Sequence, residues 1–317
     1  TCDTDLRIPS INTFLEDLLT GTQHAPLDFL PNAIPLHAFS VPGRPRTSSC
    51  DFLWVVDNSG SMSDEQSNLA NTADQFMSVL NASSANWRVG VTTTDSYCQG
   101  IDRNDPAYDP IYDLCFQQLS IDPIFDFCTG LRGSNGFLTP DTPDVSNVFS
   151  ERVTKNSNCL NPQGADPGSN VCGFGMESGL SSIAWILPNL LRQDFGLSCT
   201  HTNTPNHRLH SSPDTQTIVV WLSDEEDQEM KVRSGNTDTI LPPGSPERLA
   251  IQQRYQDTFT QIATDHGLNL TFHAIVGDEG ILFGGICQSL IPGAFDGAEH
   301  GLAYIDAALA TGGAVGS

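Results

Sequence analysis

The chain has 317 residues, with 38 acidic against 14 basic side chains and a net charge of −24. Such an excess of negative charge argues against nucleic acid and anionic membranes as partners, because both are themselves negatively charged. Its apolar content of 38% is enough for a substantial core, in one large domain or two small ones.

Nine cysteines are spread along the chain, mostly in stretches rich in Gly, Pro, Asn and Ser. None forms a Cys-x-x-Cys pair, which argues against zinc knuckles and dithiol redox motifs. Disulfides that staple loops explain the pattern better, so we expect an exported protein, extracellular or at the cell surface. The odd count predicts one thiol that is left over or bonded outside this chain. No apolar run is long enough to predict a transmembrane segment.

The first part of the chain predicts a lead-in, a strand, a helix and a second strand. Residues 1–49 contain several prolines and predict an extended N-terminal lead-in. The apolar run Phe52–Val56 has the length and composition of a strand. Apolar side chains on one face predict a helix over 64–80, and Trp87–Thr93 is the second strand.

Residues 96–170 differ from the rest, being dense in Asp, Pro, Gly and Asn and holding four cysteines. A segment of this length without strong periodicity predicts a long disulfide-stapled insertion. Within it we expect an edge strand at Gly136–Thr139 and a short helix at Val145–Thr154.

Regular elements return in the second half, where two strands alternate with three helices. They are expected at Glu177–Leu191, Thr217–Ser223, Pro246–His266, Leu270–Gly277 and Tyr304–Ala310. The alternation predicts an α/β fold, a Rossmann-like doubly wound arrangement with a mostly parallel central sheet flanked by helices.

Four predicted strands are followed by an aspartate, at Asp57, Asp95, Asp224 and Asp278. In open α/β sheets, ligands bind beyond the carboxyl ends of the strands, so these residues are candidates for a site. Aspartate is also common at strand ends and helix caps, and for Asp278 we favour that role.

Asp57 opens an Asp-x-Ser-x-Ser pattern with Ser59 and Ser61, on the tight turn between a strand and a helix. One carboxylate and two hydroxyls are hard oxygen ligands, which suit a small divalent cation such as Mg²⁺. Ser63 and Gln66, three residues apart, form a capping box that would begin the helix.

With these motifs, residues 50–317 resemble a von Willebrand factor type A domain. The pattern that begins at Asp57 matches the first loop of that family's metal-ion-dependent adhesion site, and Ser223-Asp224 matches the third. The usual second-loop threonine is replaced by Met176. The adjacent Glu177 resembles the integrin beta-subunit version, in which a glutamate ligates the metal.

The resemblance implies a site for Mg²⁺ or Mn²⁺ with the ligands Asp57, Ser59, Ser61, Glu177 and Asp224. Asp64 and Glu65 match acids that bind an adjacent Ca²⁺ in integrin beta subunits, and Asp95 is a further candidate for such a site. Acids in a first helical turn also interact favourably with the helix dipole, so for Asp64 and Glu65 that structural role is an equal alternative.

Three further sequence segments, at residues 90–95, 223–227 and 311–317, resemble those of secreted bacterial members of the family. They imply a bacterial surface protein. In this fold the Gly-Gly turn after the late helix leads to a last strand and a final helix. The sequence ends at Ser317, where that strand would begin. We therefore expect both elements to be absent, because the chain is trimmed or because another chain completes the sheet.

Three functions compete at this point. The resemblance implies a metal-dependent adhesion module, not an enzyme, whose cation captures a carboxylate of a protein or an acidic glycan. A second possibility is a structural subunit that self-associates in a surface filament or secreted assembly. The third, a metal-dependent hydrolase, rests on the His-x-x-His spacing of His207 and His210. That pair lies in a polar loop, and no nucleophile elbow or His-Glu-x-x-His helix occurs, so we predict no catalytic residues.

Overall fold

The computed structural model describes residues 49–59, 62–83, 85–101, 104, 113, 115, 122, 124–133, 135–154, 177–192, 205–210, 214–234, 237–276 and 301–316. Nearly all of the predicted lead-in over 1–49 lies outside these residues, as does Asp278. Those two predictions therefore stay predictions.

The described elements alternate strands and helices. The first half contains β1 (Ser49–Val56), α1 (Ser63–Asn71), α2 (Ala73–Ala82), β2 (Asn86–Thr93), β3 (Phe125–Asp126), β4 (Leu131–Arg132) and α3 (Val145–Val153). The second half contains α4 (Gly179–Leu190), β5 (Thr215–Ser223), β6 (Lys231–Ser234), β7 (Thr237–Ile240), α5 (Pro246–His266), β8 (Asn269–Val276), α6 (Leu302–Ala310) and β9 (Val315–Gly316). Short 3₁₀ turns lie at Ser96–Gly100, Pro205–His207 and Gln228–Met230.

A central sheet of five strands, all parallel, has the order β2-β1-β5-β8-β9. The prediction of an α/β fold with a parallel sheet is therefore confirmed. Two small antiparallel pairs, β3 with β4 and β6 with β7, lie outside that sheet.

Side chains of β1 alternate between two apolar cores, as the two-residue period of a strand requires. Leu53 and Val55 pack with residues of α4, α5 and α6. Phe52, Trp54 and Val56 pack with residues of α1, α2 and α3. Helices thus cover the two faces of the sheet, which explains why β1 is apolar along almost its whole length.

The last strand begins earlier than the sequence analysis expects. Val315 and Gly316 pair with Ala274 and Ile275 of β8, so two residues of this strand precede Ser317. The Gly-Gly turn allows the backbone before β9 to lie close to β8. A Cβ on Gly313 would lie 1.6 Å from the carbonyl oxygen of Phe272.

The helix expected over 64–80 is two helices, separated at Thr72. The predicted capping box is wrong, because the residue before α1 is Met62 and no side chain caps the helix. Gln66 instead donates from Nε2 to the carbonyl oxygen of Asp57, at 2.6 Å. Burial explains the difference, since a buried amide must find a hydrogen-bond partner and the carbonyl oxygen of Asp57 supplies one.

The insertion contains one expected helix, now α3, but the expected edge strand over 136–139 is only a single antiparallel bridge between Val89 and Leu138. The hairpin of β6 and β7 was not expected. Its strands have four residues each and mix polar with apolar side chains, which is a weak strand signal.

One disulfide joins Cys98 and Cys115, and Cys128 is also disulfide-bonded. Cys50 is the free cysteine of the described part of the chain, and burial raises the pKa of its thiol to about 12. This buried thiol is a candidate for the cysteine that the odd count leaves over. None of the described helices is both long and apolar enough to cross a membrane.

Candidate metal centre

The residues that follow β1, β2 and β5 meet at one edge of the sheet, because the carboxyl ends of parallel neighbours lie side by side. The amide of Asp57 donates to the carbonyl oxygen of Leu222 at 2.9 Å, which joins the first candidate loop to the third. The amide of Ser178 donates to the carbonyl oxygen of Thr94 at 3.2 Å, which joins the second loop to the end of β2.

Asp57 is fully buried, with 0% of its surface exposed. Its Oδ1 accepts from the amide of Ser59 at 2.8 Å, and its Oδ2 accepts from the hydroxyl of Ser223 at 2.7 Å. Burial raises the pKa of Asp57 to about 7, and the charges of Asp224 and Glu225 act in the same direction. Asp57 therefore connects the first and third loops by hydrogen bonds. Its carboxylate is buried near other acidic side chains.

Glu177 is 1% exposed, and neither of its carboxylate oxygens has a hydrogen-bond partner among the described residues. Burial raises its pKa well above the usual value, and the charges of Asp57, Glu225 and Asp95 raise it further, while its own backbone amide has a smaller opposing effect. An unsatisfied buried polar group costs about 1–3 kcal/mol, and more when it is charged. No described neighbour thus satisfies this carboxylate.

The backbone around Glu177 is firmly placed by a fully buried aspartate. Asp227 Oδ2 accepts from the amide of Leu180 at 2.9 Å, and Oδ1 accepts from the hydroxyl of Ser178 at 3.2 Å. The carbonyl oxygen of Glu177 accepts from the amide of Gln228 at 2.7 Å. Asp227 thus satisfies the start of α4, and Glu177 sits two residues before that helix. The sequence analysis gave Asp227 no role.

The acidic residues after β5 make different interactions. Asp224 is half-buried and acts on the pKa of Asp57. Glu226 forms a buried ion pair with Arg248 at 2.9 Å and also accepts from the amide of Ala303 at 3.0 Å. Glu225 pairs with Lys231 at 2.9 Å.

Sequence reasoning missed Glu225 and Lys231 as neighbours of the site. The available signal was Lys231 itself, since the sequence contains only one other lysine, Lys155. A rare cation four residues after the run of acids at 224–227 is a candidate partner for one of them.

The residues proposed for an adjacent Ca²⁺ differ in where they lie. Asp95 is buried just before the 3₁₀ turn at Ser96–Gly100, and its charge raises the pKa of Glu177. Glu65 is exposed on the first turn of α1. Ser61 and the side chain of Asp64 lie outside the described part of the structure. The structure therefore brings Asp57, Asp95, Glu177 and Asp224 to one region and leaves Glu65 at the surface.

Within the described part of the chain, no three His, Cys, Asp or Glu side chains are grouped so that they alone would hold a metal ion. The expected ligand set is of another kind, because two of its five members are the hydroxyls of Ser59 and Ser61. All its donors are oxygens, which suit Mg²⁺, Mn²⁺ or Ca²⁺. The unsatisfied carboxylate of Glu177 fits a cation, which would offset the repulsion among these acids.

The histidines behind the hydrolase alternative lie elsewhere. His210 Nδ1 is 2.5 Å from Asp51 Oδ1, and the His210 amide donates to Asp51 Oδ2 at 2.6 Å. Asp51 is near the start of β1, and at about 3.3 Å per residue it lies about 20 Å along the strand from Asp57. His210 thus attaches a loop to the opposite end of the sheet.

The interpretation of this site rests on its residues and geometry alone. No protein-family model matches the chain, and no curated protein matches it.

Proposed function

We propose that the chain is an extracellular adhesion module of the von Willebrand factor A type, which captures a partner's carboxylate through a bound divalent cation, and that it is not an enzyme. One observation carries the proposal: Glu177 is buried near the carboxyl ends of the strands of a parallel sheet, and both its carboxylate oxygens lack a hydrogen-bond partner among the described residues. A cation is the partner that would satisfy them.

In this proposal the sheet is the Rossmann-like, doubly wound sheet of that family, formed by residues 50–317. Helices packed against alternate side chains of β1 support it. Residues 96–170 would be an insertion stapled by disulfides, which the Cys98–Cys115 bond supports. That bond also supports an oxidising compartment, and therefore an extracellular or cell-surface location. The family resemblance would make the chain a bacterial surface protein.

Mg²⁺ or Mn²⁺ would be held by Asp57, Ser59, Ser61, Glu177 and Asp224. When bound, the ion supplies the positive charge that attracts a carboxylate to an otherwise acidic surface. Ser59 and Ser61 would contribute neutral oxygens, so that the charge of the cation is not fully offset. Asp57 would hold the first and third loops at their spacing, through Ser59 and Ser223.

A Ca²⁺ beside this site would involve Asp95, Asp64 and Glu65. The burial of Asp95 and its effect on Glu177 support its part in such a site. The partner would be a protein or an acidic glycan, because each presents the carboxylate that the cation binds. Nucleic acid remains disfavoured by the net charge of −24.

Isothermal titration of the chelator-treated chain with Mg²⁺, Mn²⁺ and Ca²⁺ tests the proposal. We expect a Glu177→Gln variant to bind Mn²⁺ on the order of tenfold more weakly, or not at all, because affinity follows the charge of the ligands. Glu247→Gln is the matched control, since Glu247 is exposed in the first turn of α5. Absence of cation binding by the unaltered chain, or equal binding by the Glu177 variant, would contradict the proposal.

The second half of the test concerns the partner. A ligand selected on the Mn²⁺-loaded chain should be released by EDTA and restored by added Mn²⁺. Binding that persists in EDTA would show that the partner is not held through a cation.

A further inference from the structure

Glu225 is held beside the candidate metal centre although it is not one of the expected ligands. Its amide donates to the hydroxyl of Ser223 at 3.2 Å, and that hydroxyl donates to Asp57 at 2.7 Å. Its charge acts on the pKa of both Asp57 and Glu177. A carboxylate tethered this closely has a high effective concentration, so it would compete well with a free carboxylate for the cation.

Lys231 holds this carboxylate in another interaction. Its Nζ lies 2.9 Å from Glu225 Oε2, and the side chain of Lys231 is 7% exposed against 30% for Glu225. Lys231 is the first residue of β6 and pairs in register with Ile240 of β7. The hairpin therefore fixes the position from which the ammonium group reaches Glu225. At this low exposure the attraction is screened less by water than in a surface ion pair.

A divalent cation bound by several protein oxygens has few coordination positions left. If Glu225 took the last of them, a partner's carboxylate would be excluded. We propose that Lys231 determines the specificity of this site: by holding Glu225 in an ion pair, it keeps one position of the cation open to a carboxylate from outside. The inference rests on the proposed function, and Lys231 acts through Glu225 as a positioning residue.

The test uses Mn²⁺ as the probe and compares the unaltered chain with Lys231→Gln, Glu225→Gln and the double variant. Titration gives the Mn²⁺ affinity, and water-proton relaxation gives the number of water molecules on the bound ion. In Lys231→Gln we expect affinity to rise on the order of tenfold, because a carboxylate joins the ligands. One water should be lost from the bound ion. Added acetate should displace a water in the unaltered chain but not in Lys231→Gln.

The double variant should return to the affinity and water number of the unaltered chain, because it lacks the carboxylate that closes the position. Glu225→Gln alone should keep the water number of the unaltered chain. Lys231→Arg, which preserves the ion pair, should behave like the unaltered chain in each measurement.

The outcomes separate this inference from the proposed function. If the unaltered chain binds no Mn²⁺, the proposed function fails. If it binds Mn²⁺ and Lys231→Gln changes neither affinity nor water number, only the inference is overturned. A change in Lys231→Gln that persists in the double variant also overturns it, because Glu225 would not be the cause. A water gained in Glu225→Gln would show that Glu225 already binds the ion, which overturns it even if Lys231→Gln does not fold.

Discussion

Three buried acids near the site differ in how their neighbours satisfy them. Glu226 is compensated by Arg248 at 2.9 Å and by the amide of Ala303. Asp227 accepts hydrogen bonds from the start of α4. Glu177 has no hydrogen-bond partner for either oxygen among the described residues. The three carboxylates share a similar depth, so this contrast and not burial alone distinguishes Glu177.

The contrast predicts opposite effects of two chemically identical substitutions in EDTA. Glu177→Gln should raise the free energy of unfolding by about 1–2 kcal/mol, because it removes a buried negative charge that no described residue compensates. Glu226→Gln should lower it by about 3 kcal/mol, because it leaves Arg248 as a buried charge without its partner. Urea unfolding at pH 8 measures both. Adding Mn²⁺ should stabilise the unaltered chain more than the Glu177 variant. Destabilisation by Glu177→Gln in EDTA would show that its carboxylate is already satisfied.

At the scale of elements, β9 is a short strand held to β8 at a few points. The amide of Ala314 donates to Nδ1 of His273 at 2.9 Å, and the amide of Ala274 donates to the carbonyl oxygen of Ala314 at 3.1 Å. His273 accepts this bond only with Nδ1 unprotonated, and burial lowers its pKa to about 4. One of the contacts that hold β9 to β8 thus depends on a neutral imidazole.

This dependence predicts a pH effect on stability. The unfolded chain takes up a proton on His273 near pH 6.5, whereas the folded chain does so only near pH 4. Between these values the unfolded state binds more protons, so the His273 contribution is complete above about pH 6.5 and is lost as pH falls towards 4, by up to about 1.4 kcal/mol per unit.

The measurement is urea unfolding at pH 7 and pH 5 in EDTA, for the unaltered chain and a His273→Gln variant. The variant should lose less stability on acidification. The difference between the two chains isolates His273, because the buried acids, whose raised pKa values act in the opposite direction, are common to both. Equal losses would contradict a neutral, buried His273.

At the scale of the whole molecule, charge is the dominant feature. The chain has 38 acidic side chains and only 14 basic ones. Folding brings the acidic side chains closer to one another. Several cations are already committed to ion pairs, among them Arg132 with Asp122 and Arg254 with Glu229. The acidic side chains in excess of the basic ones therefore repel one another in the folded state.

Screening should relieve that repulsion. Raising NaCl from about 10 mM to about 500 mM shortens the Debye length from roughly 30 Å to under 5 Å. We expect the thermal midpoint in EDTA to rise by a few degrees, measured by circular dichroism. A midpoint that falls with salt would show that attractive ion pairs outweigh the repulsion.

Much of the sheet could be predicted from the sequence because its signals are local. The apolar run at Phe52–Val56 and the largely β-branched run at Thr217–Ser223 identify β1 and β5, and each strand extends by a few residues in the structure. The expected bounds Pro246–His266 are those of α5, which Ser245 caps at its start and Gly267 at its end. The hairpin of β6 and β7 was missed, although Gly235-Asn236 between its strands is a two-residue turn signal.

The sequence by itself determined the α/β class, the parallel strands and the position of the candidate ligands at strand ends, because periodicity and turn chemistry act over a few residues. Only the tertiary structure decided which acids are compensated. Gln66 bonds to Asp57 and not to its own helix start, Glu226 meets Arg248, Glu225 meets Lys231, and Glu177 is left unsatisfied by the described residues. Burial and ion pairing depend on distances between segments far apart in the chain, and no local pattern encodes them.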